Sequence, residues 1–228
     1  MAEALTENGR VVVFDAMGTL FDLSALDQRF EAAGGTSATR DAWFERLLDT
    51  SKALTLVGAF EPFQKLAAAT LRATLASHRL DPASADEILA GLADLPAYPE
   101  AREALSWMAD AALPVVLLTN GGRSQTKALL ETAGLDQHVQ HVFAAEEVEA
   151  FKPDARPYRH VCEKLGIAPT QAVLVAAHAW DILGAQAVGY DAIWVDRTEL
   201  CWPIPDRQPP RRAGDLEDVA RQLTFEAR

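Results

Sequence analysis

At 228 residues the chain is long enough for one good core with a small inserted subdomain, at roughly 100–200 residues per domain, and too long for a disulfide-stapled miniprotein. Apolar residues make up 49% and charged residues 24%, a globular composition that excludes disordered and fibrous architectures. Lys and Arg number 21 against 33 Asp and Glu, a formal charge of −12, so no nucleic-acid or membrane partner is expected and any attraction for an anion must be local.

The opening MAEALTENGR lacks the basic-then-apolar order of a secretory signal, and no uncharged apolar run approaches the roughly 20 residues that span a bilayer, so a cytoplasmic protein is expected. Residues 11–14, Val-Val-Val-Phe, form a short run rich in β-branched residues without strict alternation, as in a strand covered on both faces. Residues 24–95 then turn helical, rich in Ala and Leu, which predicts a helical cap subdomain inserted after the first strand. Beyond it, helical patterns at 100–111, 124–133, 156–165 and 180–188 alternate with apolar runs at 115–118, 173–175 and 193–195 and a weaker run at 141–144. Strand alternating with helix predicts an α/β fold, a doubly wound, Rossmann-like parallel sheet, with residues 1–23 and 96–228 as its core. Residues 202–214, with Pro203, Pro205, Pro209 and Pro210, read as an irregular surface connection before a last helix. Cys162 and Cys201 lack metal-type spacing and read as reduced spectators.

In an open parallel sheet, ligands bind beyond the carboxyl ends of the strands. The first strand is followed by Asp15-Ala16-Met17-Gly18-Thr19-Leu20-Phe21-Asp22. A carboxylate leaving a buried strand, a glycine that permits a sharp turn and a hydroxyl suit an exposed nucleophile. Thr119-Asn120-Gly121-Gly122 follows the second strong run, Lys152-Pro153-Asp154 precedes the helix at 156, and His178-Ala179-Trp180-Asp181 follows the run at 173–175.

This order of motifs resembles the haloacid dehalogenase superfamily of hydrolases, over nearly the whole chain. Phosphatases of that superfamily carry a general-acid aspartate two residues after the nucleophile, where this chain has Met17. A thioether has no proton to give, and general acid catalysis contributes typically 10²–10⁴-fold. The motifs are more similar to the 2-haloacid dehalogenase branch, whose halide leaves unprotonated. That resemblance implies a cofactor-independent hydrolase acting on a small carboxylate through an aspartyl ester. Asp15 would be the nucleophile, with Lys152 holding it ionised and Asp181 orienting water. Thr19, Thr119 and Asn120 would hold the substrate carboxylate, and Tyr158 would support Lys152 or the substrate.

The chain departs from the branch at Met17, where tyrosine is usual, and at Ala176 and His178, where serine and asparagine are usual. Matching Trp43 and Phe63-Gln64 to the branch puts Phe44 where an arginine grips the leaving halide, with Arg40 and Arg46 as the nearest replacements. His178 is a second candidate for activating water, because an imidazole titrates near neutral pH; the plain alternative is a hydrogen-bonded structural histidine. Trp43, Phe44, Phe60, Phe63 and Trp180 could line an apolar pocket or belong to the core. Three other readings stay open: opening of a strained ring on a small 2-substituted acid, a magnesium-dependent phosphatase with Asp15 and Asp181 as metal ligands, and a non-catalytic relative. A homodimer fits the resemblance, and the sequence does not decide it.

Overall fold

The computed structural model describes residues 9–197, 199, 201–205 and 211–226. Its centre is one parallel sheet of six strands in the order β3-β2-β1-β4-β5-β6. The strands are β1 (Val11–Phe14), β2 (Val115–Thr119), β3 (His141–Ala144), β4 (Ala172–Ala176), β5 (Asp191–Val195) and β6 (Arg212–Ala213). β1 lies between β2 and β4, with Val13 opposite both Val116 and Leu174. The lack of alternation in β1 has a direct cause: both faces are covered. Val12 and Phe14 join the apolar cluster that contains α5 (Ala101–Asp110) and α9 (Leu216–Glu226), while Val11 and Val13 join the cluster of α7 (Ala155–Leu165) and α8 (Ala179–Val188). The expected helix at 124–133 is α6 (Arg123–Ala133).

The chain between β1 and α5 is helical. It contains α1 (Asp27–Ala32), α2 (Ser37–Leu56), α3 (Phe63–Ser77) and α4 (Ala85–Ala90), with short 3-10 turns between and around them. The two connections to the sheet run side by side: Asp22 donates its amide to Pro96 at 2.8 Å, Tyr98 donates to Leu20 at 3.0 Å, and Phe21 forms an antiparallel bridge with Ala97. Trp43, Leu47, Phe63 and Leu71 of this insert share one apolar cluster with Phe14, Leu117 and Phe151 of the core.

One element overturns a sequence expectation. Residues 202–214 are not irregular throughout, because Arg212 and Ala213 pair in parallel with Trp194 and Val195 as the edge strand β6. Two residues are too few to show a hydropathy pattern. Pro209 and Pro210 lie outside the described residues. Cys162 is buried, its thiol 3.4 Å from the Tyr190 hydroxyl, and Cys201 is exposed; both are free thiols. Among the described residues, no helix is long and apolar enough to cross a membrane.

Candidate active site

β1 delivers Asp15 to the carboxyl edge of the sheet, where its amide continues the ladder by donating to Val175 at 3.0 Å. The chain then turns sharply, with the amides of Leu20 and Phe21 both returning to the Ala16 carbonyl. Gly18 makes the turn at φ +80°, and a Cβ there would lie 3.0 Å from Cε1 of His178, so both conformation and space call for glycine. The turn aims Thr19 back at Asp15. Its hydroxyl donates to Oδ2 of Asp15 at 2.8 Å and accepts the Ala177 amide at 2.9 Å.

Lys152 is fully buried and spends its three donors on Oδ1 of Asp15 at 2.8 Å, Oδ2 of Asp181 at 2.5 Å and the Leu118 carbonyl at 2.9 Å. Asn120 fixes the backbone of this lysine, accepting its amide at 2.8 Å and facing its carbonyl at 3.4 Å. Asp181, on the first turn of α8, uses its other oxygen to accept the Tyr158 hydroxyl at 2.5 Å. Gly184 allows this approach of α8 to α7, since a Cβ there would lie 2.5 Å from the Tyr158 oxygen. Nδ1 of His178 sits 3.2 Å from Oδ2 of Asp15; an ionised carboxylate can only accept, so Nδ1 carries the proton.

Electrostatics follow from this packing. Burial alone would raise Asp15, but the Lys152 charge and the His178 hydrogen bond outweigh it and hold the carboxyl well below the usual range. Burial alone would likewise lower Lys152, and the two carboxylates reverse that and keep it charged. Asp181 is pushed up by burial and by the charge of Asp15, against the pull of Lys152. Burial, then the Asp181 charge, raises Tyr158, which stays a donor.

Asp15 opens onto a cavity of about 20 Å³, room for about one water. Met17, Phe44, Leu48, Phe63 and Trp180 make most of its wall apolar, and Thr119, Asn120, Gly121 and His178 are its polar members. Outside lies a cleft of about 720 Å³, and Phe44, Leu48, His178 and Trp180 line both spaces. His178 stands between two rings, 6.0 Å from Phe44 and stacked on Trp180 at 5.3 Å.

Asp15, Lys152, Asp181, His178, Thr19, Asn120 and Tyr158 therefore converge, and Met17, Phe44 and Thr119 stand at the cavity. Several expected roles change. Thr19 is fully buried with its hydroxyl engaged on both sides, so it orients Asp15 rather than holding a substrate carboxylate. Asn120 lines the cavity but clamps Lys152 with its amide group. Thr119 accepts the Gly121 amide at 2.9 Å and is left with its hydroxyl proton to offer. Tyr158 supports Asp181, not Lys152, and is too buried to meet a substrate. Asp181 is fully buried, does not line the cavity, and gives one oxygen to Lys152 and the other to Tyr158, so its contact with the cavity runs through Lys152.

Trp43 belongs to the core, its indole N–H donating to Ala67 at 3.2 Å, and Phe60 stacks on Phe151 at 5.0 Å. Arg40 is drawn to Asp27 and Asp41, and Arg46 is exposed, so neither replaces an arginine at the cavity. Sequence reasoning missed Leu48 and Lys52, although both follow Phe44 at helical intervals of four residues. It also missed the Leu118 carbonyl and Ala177 amide, backbone groups for which no side-chain signal exists.

A metal ion bridging the two aspartates has poor prospects here. The Lys152 ammonium already bridges them, both Asp181 oxygens accept from protein donors, and the Met17 side chain offers a thioether where a hard cation prefers oxygen. Among the described residues, no group of three or more His, Cys, Asp or Glu is arranged to hold a metal.

The (S)-2-haloacid dehalogenase 4A of Burkholderia cepacia is 30% identical over 197 residues, covering 85% of this chain and 85% of that protein. The structure of L-2-haloacid dehalogenase from Xanthobacter autotrophicus with chloropropionic acid covalently bound superposes with a TM-score of 0.86 at 25% identity, over 94% of this chain and 98% of that one. A dehalogenase solved with an intermediate complex gives 0.88 at 27%, over 94% and 97%. The model of the haloacid dehalogenase-like hydrolases matches residues 10–189, and with these relatives it shows that the chain belongs to that family of hydrolases.

Proposed function

We propose that the protein hydrolyses the carbon–halogen bond of a small 2-haloacid through an ester on Asp15. One observation carries the reading: a carboxylate kept ionised by a buried lysine opens onto a small, largely apolar cavity, with a thioether where a phosphatase would carry its general acid. An oxygen of Asp15 attacks C2 from the side opposite the halogen, the C–O bond forms as the C–X bond breaks, and the halide leaves with the bonding pair. The step inverts C2. Water then adds to the Asp15 carbonyl carbon while His178 takes one of its protons; as the tetrahedral intermediate collapses the C2 oxygen leaves with that proton from His178 as the 2-hydroxy acid, and the Asp15 carboxyl loses the remaining water proton to solvent and returns to the carboxylate. His178 suits this role because it lines the cavity and touches Asp15. With its proton on Nδ1, the neutral imidazole keeps its lone pair on Nε2, which is the atom that takes the water proton.

Lys152 donates to the oxygen on which charge develops. Asp181 and Tyr158 keep the lysine charged and in place, Thr19 and Asn120 fix the two reacting groups, and residues 24–95 act as a cap. No cofactor takes part in these steps. The dehalogenase activity for which these relatives are named and the covalently bound chloropropionic acid in one of them support the same route.

A second reading keeps the Asp15 ester and changes the leaving group to one retained in the product, as in opening a strained ring. It is favoured because no cationic side chain lies among the described residues that line the cavity. A panel measuring halide release from 2-chloropropionate and phosphate release from a generic ester, with and without chelator, tests the proposal. Chelator-resistant halide release, lost in Asp15→Asn, is expected; magnesium-dependent phosphate release without halide release would overturn it. A single turnover in ¹⁸O-water should label the Asp15 peptide and leave the product unlabelled.

A further inference from the structure

An anionic substrate faces a repulsive approach. The cavity is dominated by Asp15, and the buried group behind it sets one lysine against two carboxylates. The outer cleft adds Asp22, Asp41, Glu45, Asp49 and Glu199 on a chain of net charge −12. Arg40 and Lys52 are the cations among the described residues lining it.

These two differ in what they can offer. Arg40, Phe44, Leu48 and Lys52 follow each other at intervals of four along α2, so they form one stripe facing the cleft, charged at its ends and apolar in its middle. Arg40 has only 14% of its side chain exposed and holds Asp41 at 2.8 Å and Asp27 at 3.1 Å. Lys52 meets Asp49 at a loose 3.5 Å, and the Asp49 side chain is 81% exposed, so water competes for that pair. The ammonium of Lys52 lies 5.2 Å from the centre of the Trp180 ring, the ring that lines both spaces and that the ammonium of Lys152 approaches at 5.8 Å.

From this placement we infer that Lys52 is the capture site for the substrate carboxylate. The incoming acid exchanges Asp49 for its own carboxylate at the rim, beside Trp180, and passes from there between Phe44, Leu48 and His178 to Asp15. The inference rests on the haloacid reading for the identity of the substrate, while the carboxylate chemistry stands apart from the halogen. Lys52 makes no contact with the reacting atoms and is a specificity residue, selecting acids over neutral analogues of the same size.

The test compares wild type, Lys52→Met and Lys52→Arg with 2-chloropropionate and its neutral amide. At low ionic strength Lys52→Met should raise KM for the acid about tenfold with kcat held, a deficit that closes as salt shortens the screening length to about 3 Å at 1 M. Lys52→Arg should restore the wild-type KM, and neither variant should alter KM for the amide. Calorimetric titration with propionate, which carries no halogen, should show the same tenfold loss of affinity in Lys52→Met, within the range for a charged cleft.

An unchanged KM and propionate affinity in Lys52→Met would overturn the inference, as would equal losses on acid and amide or a failure of Lys52→Arg to restore binding. If wild type releases no halide yet binds propionate through Lys52, the haloacid reading falls and the capture site stands.

Discussion

Replacing Lys152 by methionine probes the electrostatic centre of the fold. The change removes the positive charge that two buried carboxylates share and leaves the Leu118 carbonyl without its donor. Breaking a buried ion pair from one side costs about 3–5 kcal/mol, which at about 2–4 °C per kcal/mol for a chain of this size lowers Tm by about 6–20 °C near neutral pH. The loss should depend on pH in a defined sense. In wild type, Asp15 sits below its unfolded value, so its contribution is present above about pH 4 and fades as pH falls further; Lys152 sits above its own, so its contribution persists up to about pH 10 and is lost beyond. Asp181, which is raised, works against stability as pH climbs through its titration. Without Lys152 the two carboxylates repel, one of them binds a proton more tightly folded than unfolded, and stability must rise as pH falls. Urea unfolding of both proteins from pH 5 to 8 measures this. A variant as stable as wild type, or one whose deficit stays constant across that range, would show that the three groups are not coupled as described.

Four further outcomes follow from the same geometry. His178→Ala should leave halide release in the first turnover intact and slow ester hydrolysis by about 10²–10⁴-fold, so that the ester on Asp15 accumulates and is seen by intact-protein mass spectrometry; full multiple-turnover activity would remove the imidazole from the water step. Gly18→Ala should cost about 1–3 kcal/mol from its left-handed backbone alone and slow ester hydrolysis by displacing His178, whereas Gly184→Ala should destabilise by about 1–3 kcal/mol through overpacking against Tyr158 and Pro153; thermal unfolding checks both. Because Asp15 is held below the usual carboxylate range and Lys152 above its own, first-turnover halide release should be independent of pH from 5 to 9, and a midpoint near pH 5 would contradict that placement.

The sheet and the charged centre were readable from sequence because each depends on side-chain type at a strand end. Val11–Phe14 announces a strand buried on both faces, and Asp15 after that strand, Lys152 before the helix at 156 and Asp181 after the run at 173–175 come in an order that resembles one family. What each neighbouring side chain does was less readable. Thr19, Asn120 and Tyr158 lie around Asp15, Lys152 and Asp181, yet a sequence cannot tell a hydroxyl facing a substrate from one bonded to Asp15 and the Ala177 amide. The edge strand β6 escaped because two residues carry no periodicity, and its pairing with Trp194 and Val195 is a tertiary fact. Trp43 and Phe44 are neighbours on one helix, and only the direction in which α2 packs sends one to the core and the other to the cleft.

The apolar cluster that runs unbroken from the sheet into the helical insert has a bearing on traffic. With Trp43, Leu47 and Phe63 packed in the same mass as Phe14 and Phe151, swinging the insert away as a rigid body would tear open a shared interior. Passage to Asp15 then falls to rotamer changes of a few side chains at the constriction, chiefly Phe44 and Trp180, on the fast time scale of individual side chains rather than that of domains. On the proposed function, broadening the range of substrates becomes a matter of trimming Phe44 and Trp180 one residue at a time rather than of loosening the insert.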